Sequence, residues 1–545
     1  MKKILLLTGI SAMSLAAFAS FSDPVKLDDV YIQKISANGK FAVSNLTEDA
    51  LCLFNLETGE KFSYSESDEY YFGIGKCLSD DGIFVGGETS VTPEYWKDGK
   101  WNPLEVLDSE SYMNAASAIT PDGSRICGML GIADFSYNDD VLMVVPCIWN
   151  AEGEGYGEPV RLPYPKLDIT GRVPQYVKAL DISGDGKTVI GMVTDATGRC
   201  SYPILYKENE KGEWSYEIPH ENLLVPEDFK IPENPGEFNK NYPSWRDYTT
   251  PTEAEAYNKA SDEYYQNGDW SVPAPKPEDF MTPENAAEYT KDIAEYVEEY
   301  DAWQVKNQAY QDAMDELFDF APSYQDNSVR ISVDGKTYGC TIENGGGFFW
   351  GASASYNVWV FDLTSDNIVK YDEQDNLCLS YLANGGVAVA STPVNFFKRE
   401  PSYSFILKDG EIIGMYDWMN TKAPELATWM KQNMEFEYEG YDEEYNEVLL
   451  KAFMTGHATS TPDLSVMALS VQNIGFPIDP DAYDDPDFSP VIGYGYIFNL
   501  QEGSSVESVI PVSKENTIYD LYGRKLNEVS APGIYVIDGK KKVVR

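Results

Sequence analysis

Short apolar runs, each two to five residues long, recur along most of the chain and are broken by Asp-Gly or Asn-Gly. ISANGKFAVS begins at Ile35, LSDDGIFVGG at Leu78, ITPDGSRICG at Ile119 and ISGDGKTVIG at Ile182. ISVDGKTYGC begins at Ile331, YLANGGVAVA at Tyr381, and a worn copy, STPDLSVMAL, at Ser460. Each copy predicts a tight hairpin, because Asp-Gly and Asn-Gly tolerate the positive φ of such a turn. Six residues past the Asp or Asn stand Ser44, Gly87, Gly128, Gly191, Cys340, Ala390 and Leu469, small in all but the last copy. Small residues there suit close approach of neighbouring strands. A third run with an aromatic and a second turn follows, as in EYWKDGKW from Glu94 and YSFILKDGE from Tyr403, and then a fourth run.

Four strands per unit is the plan of a propeller blade. Gly39, Gly82 and Gly123 are spaced by 43 and 41 residues, within the roughly 40–50 residues of a blade. The expectation is an all-β chain with a seven-bladed β-propeller over 24–505. Six or eight blades are the alternatives, since the first and last copies are the least regular. An array of two-sheet sandwiches is the other fold. The Asp-Gly phrases resemble the repeats of TolB-like and other extracellular propellers, a resemblance that implies a fold and no activity.

Two stretches break the alternation. From 219 to 322 the pattern turns acidic and helical. Thr250-Pro251-Thr252-Glu253 predicts a capping box with Pro at the first helical position, opening a helix to about Gln266. Thr282-Pro283 opens a second helix to about Phe318. Its apolar stripe runs Tyr289, Ile293, Tyr296, Tyr300, Trp303, Asn307, Tyr310, Met314, Leu317 in alternating steps of four and three, a heptad seam. The reading is a helical hairpin, with Tyr257, Ala260 and Tyr264 of the first helix packing on part of the seam. Tyr296, Tyr300, Trp303 and Tyr310 are the candidate docking residues for a partner. A shorter stretch, 416–451, also reads as helical.

The two ends add an address. Lys2 and Lys3, the Ile4–Leu15 apolar run and Ala17-Phe18-Ala19 form the pattern of a signal peptide over 1–19. No other run is long and apolar enough to span a bilayer. At the other end, IYDLYGRKL from Ile518, the Pro532-Gly533 turn, GIYVIDGKKK from Gly533 and the basic terminus at Arg545 are similar to the C-terminal sorting domain of type IX secretion substrates. That resemblance, over 511–545, implies a small β domain that meets the secretion machinery. It places the protein at the cell surface or outside the cell, or in the periplasm if the tail is not a working signal.

The formal net charge of −48 repels phosphate backbones and argues against nucleic-acid binding. Seven cysteines, among them Cys52, Cys77, Cys127, Cys340 and Cys378 in apolar runs, read as core thiols, with one or two disulfides possible. Nothing marks the two histidines, His220 and His457, as a catalytic base. Asp479, Asp481, Asp484, Asp485 and Asp487 form an acidic loop that is either simply solvated or a calcium site; no other cofactor is expected. In ENGGGFFWGASASYN, three glycines precede Phe348, Phe349 and Trp350, the first candidates for ligand contact, because glycine admits close approach and aromatic faces stack on sugars. The expected function is binding of a glycan or protein ligand. A carboxylate-dependent hydrolase of polysaccharide or peptide and an assembly protein docking through the aromatic helix are the alternatives.

Overall fold

Each Asp-Gly or Asn-Gly phrase forms the inner hairpin of an antiparallel sheet. The computed structural model describes residues 24–28, 30–46, 51–64, 77–85, 92–107, 113–134, 141–230, 232–268, 271–325, 328–344, 355–365, 367–374, 376–393, 402–441, 447–472, 493–500 and four short strands between 518 and 544. The first sheet joins Val30–Ile35, Phe41–Leu46, Leu51–Asn55 and Lys61–Tyr64 in chain order. The second joins Cys77–Leu78, Phe84–Val85, Glu94–Lys97 and Lys100–Pro103. Further along, Tyr176–Ile182, Thr188–Thr194, Ser201–Glu208 and Trp214–Glu217 repeat the order, as do Cys378–Leu382, Ala388–Ser391, Ser404–Lys408 and Glu411–Gly414. The sheet built on Ala115–Ile119 meets its successor through a single parallel pair, Val144 with Tyr176.

The last sheet breaks chain order in an informative way. His457–Ser460, Val466–Gln472 and Gly493–Asn499 are its inner strands, and its outer strand is Val25–Asp28, from the start of the chain. Val25 pairs with Ile497 and Asp28 with Tyr494. The two ends of the repeat array thus share one sheet.

Sheets pack face to face in succession. Val43 and Leu53 of the first meet Leu78, Phe84 and Trp96 of the second. Ile83 and Val85 pack with Ile126, Leu130 and the fully buried Trp149. Val358, Val360 and Tyr371 pack with Leu379, Ala388 and Leu407. Val30, Ile32 and Phe54 of the first sheet pack with Val466, Ala468 and Ile497 of the last. Each such side chain, fully buried, contributes about 1.5–3 kcal/mol relative to exposure. Arg125 adds a bidentate pair with Glu208, at 2.7 and 3.1 Å, that ties two neighbouring sheets. This is a β-propeller architecture.

All seven cysteines are free thiols, and Cys52, Cys127, Cys147, Cys200 and Cys340 are buried. The disulfides allowed by the sequence do not form. Burial holds the Cys127, Cys147 and Cys340 thiols well above their ordinary range, which keeps them inert.

The 416–451 stretch is helical only in its first half. Helices run over Met415–Lys422 and Pro424–Asn433, and a hairpin of Glu435–Tyr441 with Glu447–Phe453 follows. The alternation Phe436, Tyr438 in a glutamate-rich run has the period of a strand and overrides the helical reading. Met419, Leu426, Met430 and Met434 pack with Met467, Tyr496 and Phe498 of the last sheet.

Residues 222–321 form a separate compact unit. Helix α1 is Pro251–Asn267, with the Thr250–Glu253 capping box formed and Gly268 ending it in the left-handed conformation. Helix α2 is Pro283–Phe320. The expected packing of α1 along the seam is replaced by ring contacts from the extended segment before α1. Phe238 meets Tyr296, Tyr300 and Trp303 at 5.2–5.8 Å, and Tyr242 and Tyr248 meet Tyr296 and Tyr289. Tyr257 of α1 turns instead to Trp245 and Phe280. Rings on an extended segment can meet a long stripe one at a time, which a shorter straight helix cannot do.

Candidate functional site

The two ends of each inner strand differ in chemistry. At the turn end, a Ser or Thr side chain bonds the turn Asp or Asn: Ser36 to Asn38 at 2.8 Å, Thr120 to Asp122 at 2.7 Å, Ser183 to Asp185 at 2.7 Å, Ser332 to Asp334 at 2.6 Å and Thr461 to Asp463 at 2.8 Å. The same hydroxyls accept N–H groups from the returning strand, as Ser183 does from Thr188 at 3.0 Å. These bonds hold Asp122, Asp185 and Asp463 below the usual carboxylate range, although burial pushes the other way. Successive turns also touch. The Asn38 N–H reaches Asp80 at 2.7 Å, Asp80 N–H the Pro121 carbonyl at 2.6 Å, Gly184 N–H the Val333 carbonyl at 2.7 Å, Asp334 N–H the Asn384 side chain at 3.0 Å, and Asn384 N–H the Pro462 carbonyl at 2.9 Å.

Behind the turns, four inner strands carry the same irregularity. Pairing skips Gln33, Ser117, Leu180 and Ser380, each an extra residue in its strand. Such a bulge re-aims the side chains around it. The next residue in those strands is Lys34, Ala118, Asp181 or Tyr381. The equivalent position, just before the apolar start of the repeat phrase, holds Cys77 and Arg330 in two further copies. These residues form one electrostatic neighbourhood. Burial, then Arg330, pushes the Lys34 ammonium down; Asp181 and Cys77 oppose that. Burial pushes Asp181 up against the pull of Arg330 and Lys34. The Asp181 carboxylate accepts N–H bonds from Ile182 at 2.9 Å and Ile331 at 3.0 Å.

Toward the other end lies a cleft of about 230 Å³ lined by Tyr31, Ser391, Thr392, Ser402, Met454 and His457, among others. Tyr31 and His457 stack at 5.6 Å between ring centroids and 24° between planes. His457 Nδ1 lies 3.3 Å from the Ser380 hydroxyl, which lies 3.0 Å from Ser391. Burial first, then the charge of Lys34, lowers His457 to about 4, so the ring is neutral at pH 7. Ser402 donates to the Thr392 carbonyl at 2.5 Å, and Ser470 bridges the Ile32 N–H and carbonyl at 2.8 and 3.1 Å. These bonds fix the wall and tie the first inner strand to the last sheet.

The sequence-predicted site residues fall elsewhere. Phe348, Phe349 and Trp350, and Asp479, Asp481, Asp484, Asp485 and Asp487, lie outside the described residues. Tyr296, Tyr300 and Trp303 meet Phe238 within the 222–321 unit, and Tyr310 is buried. The signal-like residues 1–19 also lie outside the described residues. Among the described residues no three His, Cys, Asp or Glu side chains gather as a metal site, and no helix is long and apolar enough to cross a membrane. The inner-strand group Tyr31, Lys34, Asp181, Arg330, Tyr381 and His457 escaped the sequence reading. Lys34, Asp181 and Arg330 carried a signal, a charged residue immediately before an apolar repeat start; Tyr31 and His457 carried none.

No family model matches the chain, and no curated protein matches it. Among solved structures it is similar to the tricorn protease, at 11% identity over 74% of this chain and 34% of that one, with a TM-score of 0.36. The chain thus spans about a third of that protein's length. It is also similar to the β-propeller domain of Cps50 (Swd1) from Myceliophteria thermophila, at 9% identity over 87% and 98%, TM-score 0.37. A third similarity is to a putative TolB from Agrobacterium tumefaciens, at 11% identity over 64% and 80%, TM-score 0.28. Likenesses of this degree carry no activity across.

Proposed function

We propose that this chain is a binding module that takes a small hydroxylated ligand, such as one sugar unit of a glycan, in the cleft beside Tyr31 and His457. The repeat sheets are read as seven blades, closed by Val25–Asp28 pairing into the last one. The single observation that carries the proposal is a set of crowded polar groups without protein partners. The Tyr31 hydroxyl and His457 Nε2 make no hydrogen bond among the described residues, although burial is the main force on the acidity of both. Both residues are half-buried and line the cleft, so these groups are open to a ligand or to water. The stacked rings supply an apolar face for a sugar, and the hydroxyls of Ser391 and Thr392 supply adaptable donors and acceptors.

The described lining of the cleft contains no carboxylate, so the hydrolase alternative would have to find its two acids elsewhere. Calorimetric titration of the purified chain with a panel of neutral monosaccharides tests the reading. At least one should bind, and His457→Ala should weaken it about tenfold or more; saturable binding unchanged in that variant would sink the cleft as the site.

The export reading joins this proposal on separate support. Ile518–Tyr519, Lys525–Leu526, Gly533–Ile537 and Lys540–Val544 pair into a sheet of their own, a form compatible with a sorting domain. Secretion of the chain with and without 511–545 from a host with type IX machinery tests it, and equal export of both forms would overturn it.

A further inference from the structure

We infer that Asn384 is a site of spontaneous deamidation in the folded protein, with the Gly385 amide nitrogen as nucleophile, whereas the repeat's other described Asn-Gly turn, Asn38-Gly39, is protected. The Gly385 nitrogen attacks the Asn384 side-chain Cγ and a new N–C bond forms. The Gly385 proton leaves with Nδ2 as the Cγ–Nδ2 bond breaks, so ammonia departs and a five-membered succinimide remains. Water opens that ring at either carbonyl, giving aspartate or isoaspartate. One water enters and one ammonia leaves, with no change of oxidation state, and the reaction needs nothing from the cleft.

The two turns look alike in sequence and differ in register. The Gly39 N–H donates to the Ser36 carbonyl at 2.9 Å, and Gly82, Gly123, Gly186 and Gly335 make the same bond three residues back. In the copy from Tyr381 the Asn stands one place earlier. Its N–H reaches the Pro462 carbonyl as the Asp80 N–H reaches that of Pro121. Strand pairing agrees, since Leu382 pairs with Ala388 as Leu78 does with Phe84, six residues on. Asn384 thus takes the place of Asp80, and Gly385 the place of Asp81, Asn38 and Asp334. In that place the Asn38 N–H finds the Asp80 carboxylate at 2.7 Å, and the Asp334 N–H finds the Asn384 side-chain oxygen at 3.0 Å. The next turn offers Gly385 only Pro462 there, whose side chain accepts nothing. Among the described residues the Gly385 N–H has no hydrogen-bond partner.

Asn384 therefore combines a free nucleophile with a donor, the Asp334 N–H, on the oxygen where negative charge develops during attack. Asn384 and Gly385 are exposed, and no atom lies within 4 Å of where a Cβ on Gly385 would stand, so water has access. Asn38 has donors to its oxygen, from Ser36 and Lys40, but its Nδ2 is held by the Asp80 carbonyl at 3.0 Å and the Gly39 N–H by Ser36. Asn267-Gly268, at the end of α1, is the converse: among the described residues its glycine N–H is unbonded and nothing donates to its side-chain oxygen. Asn344-Gly345 extends outside the described residues. Conversion at Asn384 adds a negative charge where the turns from Ile331, Tyr381 and Ser460 touch, and isoaspartate also lengthens the backbone there by a methylene.

The test is peptide mapping by mass spectrometry of the full chain held in mildly alkaline buffer, reading amide-to-acid conversion at each Asn-Gly. Asn384 should convert about tenfold or more faster than Asn38, the factor expected from the two hydrogen bonds that Asn38 must break, and faster than Asn267. In urea the three should converge to within about threefold, because the turns are gone. Pro462→Asn hands the Gly385 N–H an acceptor, as Asp80 does for Asn38, and should slow Asn384 about fivefold. If that variant does not fold, the native-against-urea comparison decides alone. Asn38 converting as fast as Asn384 in the native chain overturns the inference. So does a native ratio that urea leaves unchanged, since the difference would then lie in local sequence. Asn267 keeping pace with Asn384 overturns the role given to the Asp334 N–H.

Discussion

The two ends of the inner strands are made from the same repeat, yet they behave oppositely. At the turn end, Ser183, Ser332 and Thr461 each bond the Asp two residues on and the strand that returns. These three copies bond their own turns in the same way, so they look alike. A few residues back, the equivalent positions hold Lys34, Cys77, Asp181, Arg330 and Tyr381, and no two of them are the same. The lesson is about repeats in general. Where a unit must close on itself, chemistry repeats; where units face a common space, each is free to differ, and difference is where recognition can be built.

The frame is hardest to alter beside the bulges, where Gly191 pairs with Ala179 and Gly128 with Ala116. A Cβ at Gly191 would stand 2.0 Å from the Lys178 carbonyl oxygen, and one at Gly128 equally close to that of Ala115. Backbone cannot yield as a side-chain tip can. Gly191→Ala should therefore cost about 3 kcal/mol, the largest effect expected here, read by urea unfolding. A loss below about 0.5 kcal/mol would mean that the inner hairpins are looser beside the bulge than drawn.

His457 gives the next effect, and it belongs to the cleft. Its folded value of about 4 lies below the ordinary 6.5. Between those values the unfolded chain binds more protons than the folded one, so stability falls as pH falls. The contribution is fully present above about pH 6.5 and lost by about pH 4, some 3 kcal/mol in all, from about 1.4 kcal/mol per pH unit. The groups facing the ring are Tyr31, Ser380 and Lys34. His457→Phe keeps a ring against Tyr31 and should flatten the difference between unfolding at pH 7 and pH 4 by that amount. If both proteins lose stability equally, the ring is better solvated than its surroundings imply.

This contrast also explains what was legible in the sequence. The hairpins were, because Asp-Gly encodes its turn locally; Gly186 adopts φ +69, and the worn copy places Leu464 at φ +61 in the same role. The helix starts at Thr250 and Thr282 were too, since a cap is a local device. The cover of the α2 stripe by Phe238 was not, because an extended segment has no period to announce it. Neither was the pairing of Val25–Asp28 with the last sheet, which joins residues from opposite ends of the chain. The cleft was hidden for a further reason. His457 and Tyr31 are brought together only by closure of the array, and neither has a neighbour in sequence that marks it.

The smallest effects set the two ends side by side with one substitution. The buried Ser183 hydroxyl donates to Asp185 and accepts from Thr188 N–H. Ser183→Ala leaves that N–H unpaired inside a hairpin and should cost about 1–2 kcal/mol. Among the described residues the Ser391 hydroxyl meets the Ser380 hydroxyl alone, at 3.0 Å, and Ser380 keeps His457 as a second neighbour. Ser391→Ala should therefore change stability by less than about 0.5 kcal/mol, while weakening any ligand whose hydroxyl it meets. Urea unfolding of both variants, with sugar titration of the second, decides the matter. If Ser391→Ala unfolds as easily as Ser183→Ala, its hydroxyl is part of the frame, and the division between a self-satisfied end and a receptive end moves deeper, toward Lys34 and Tyr381.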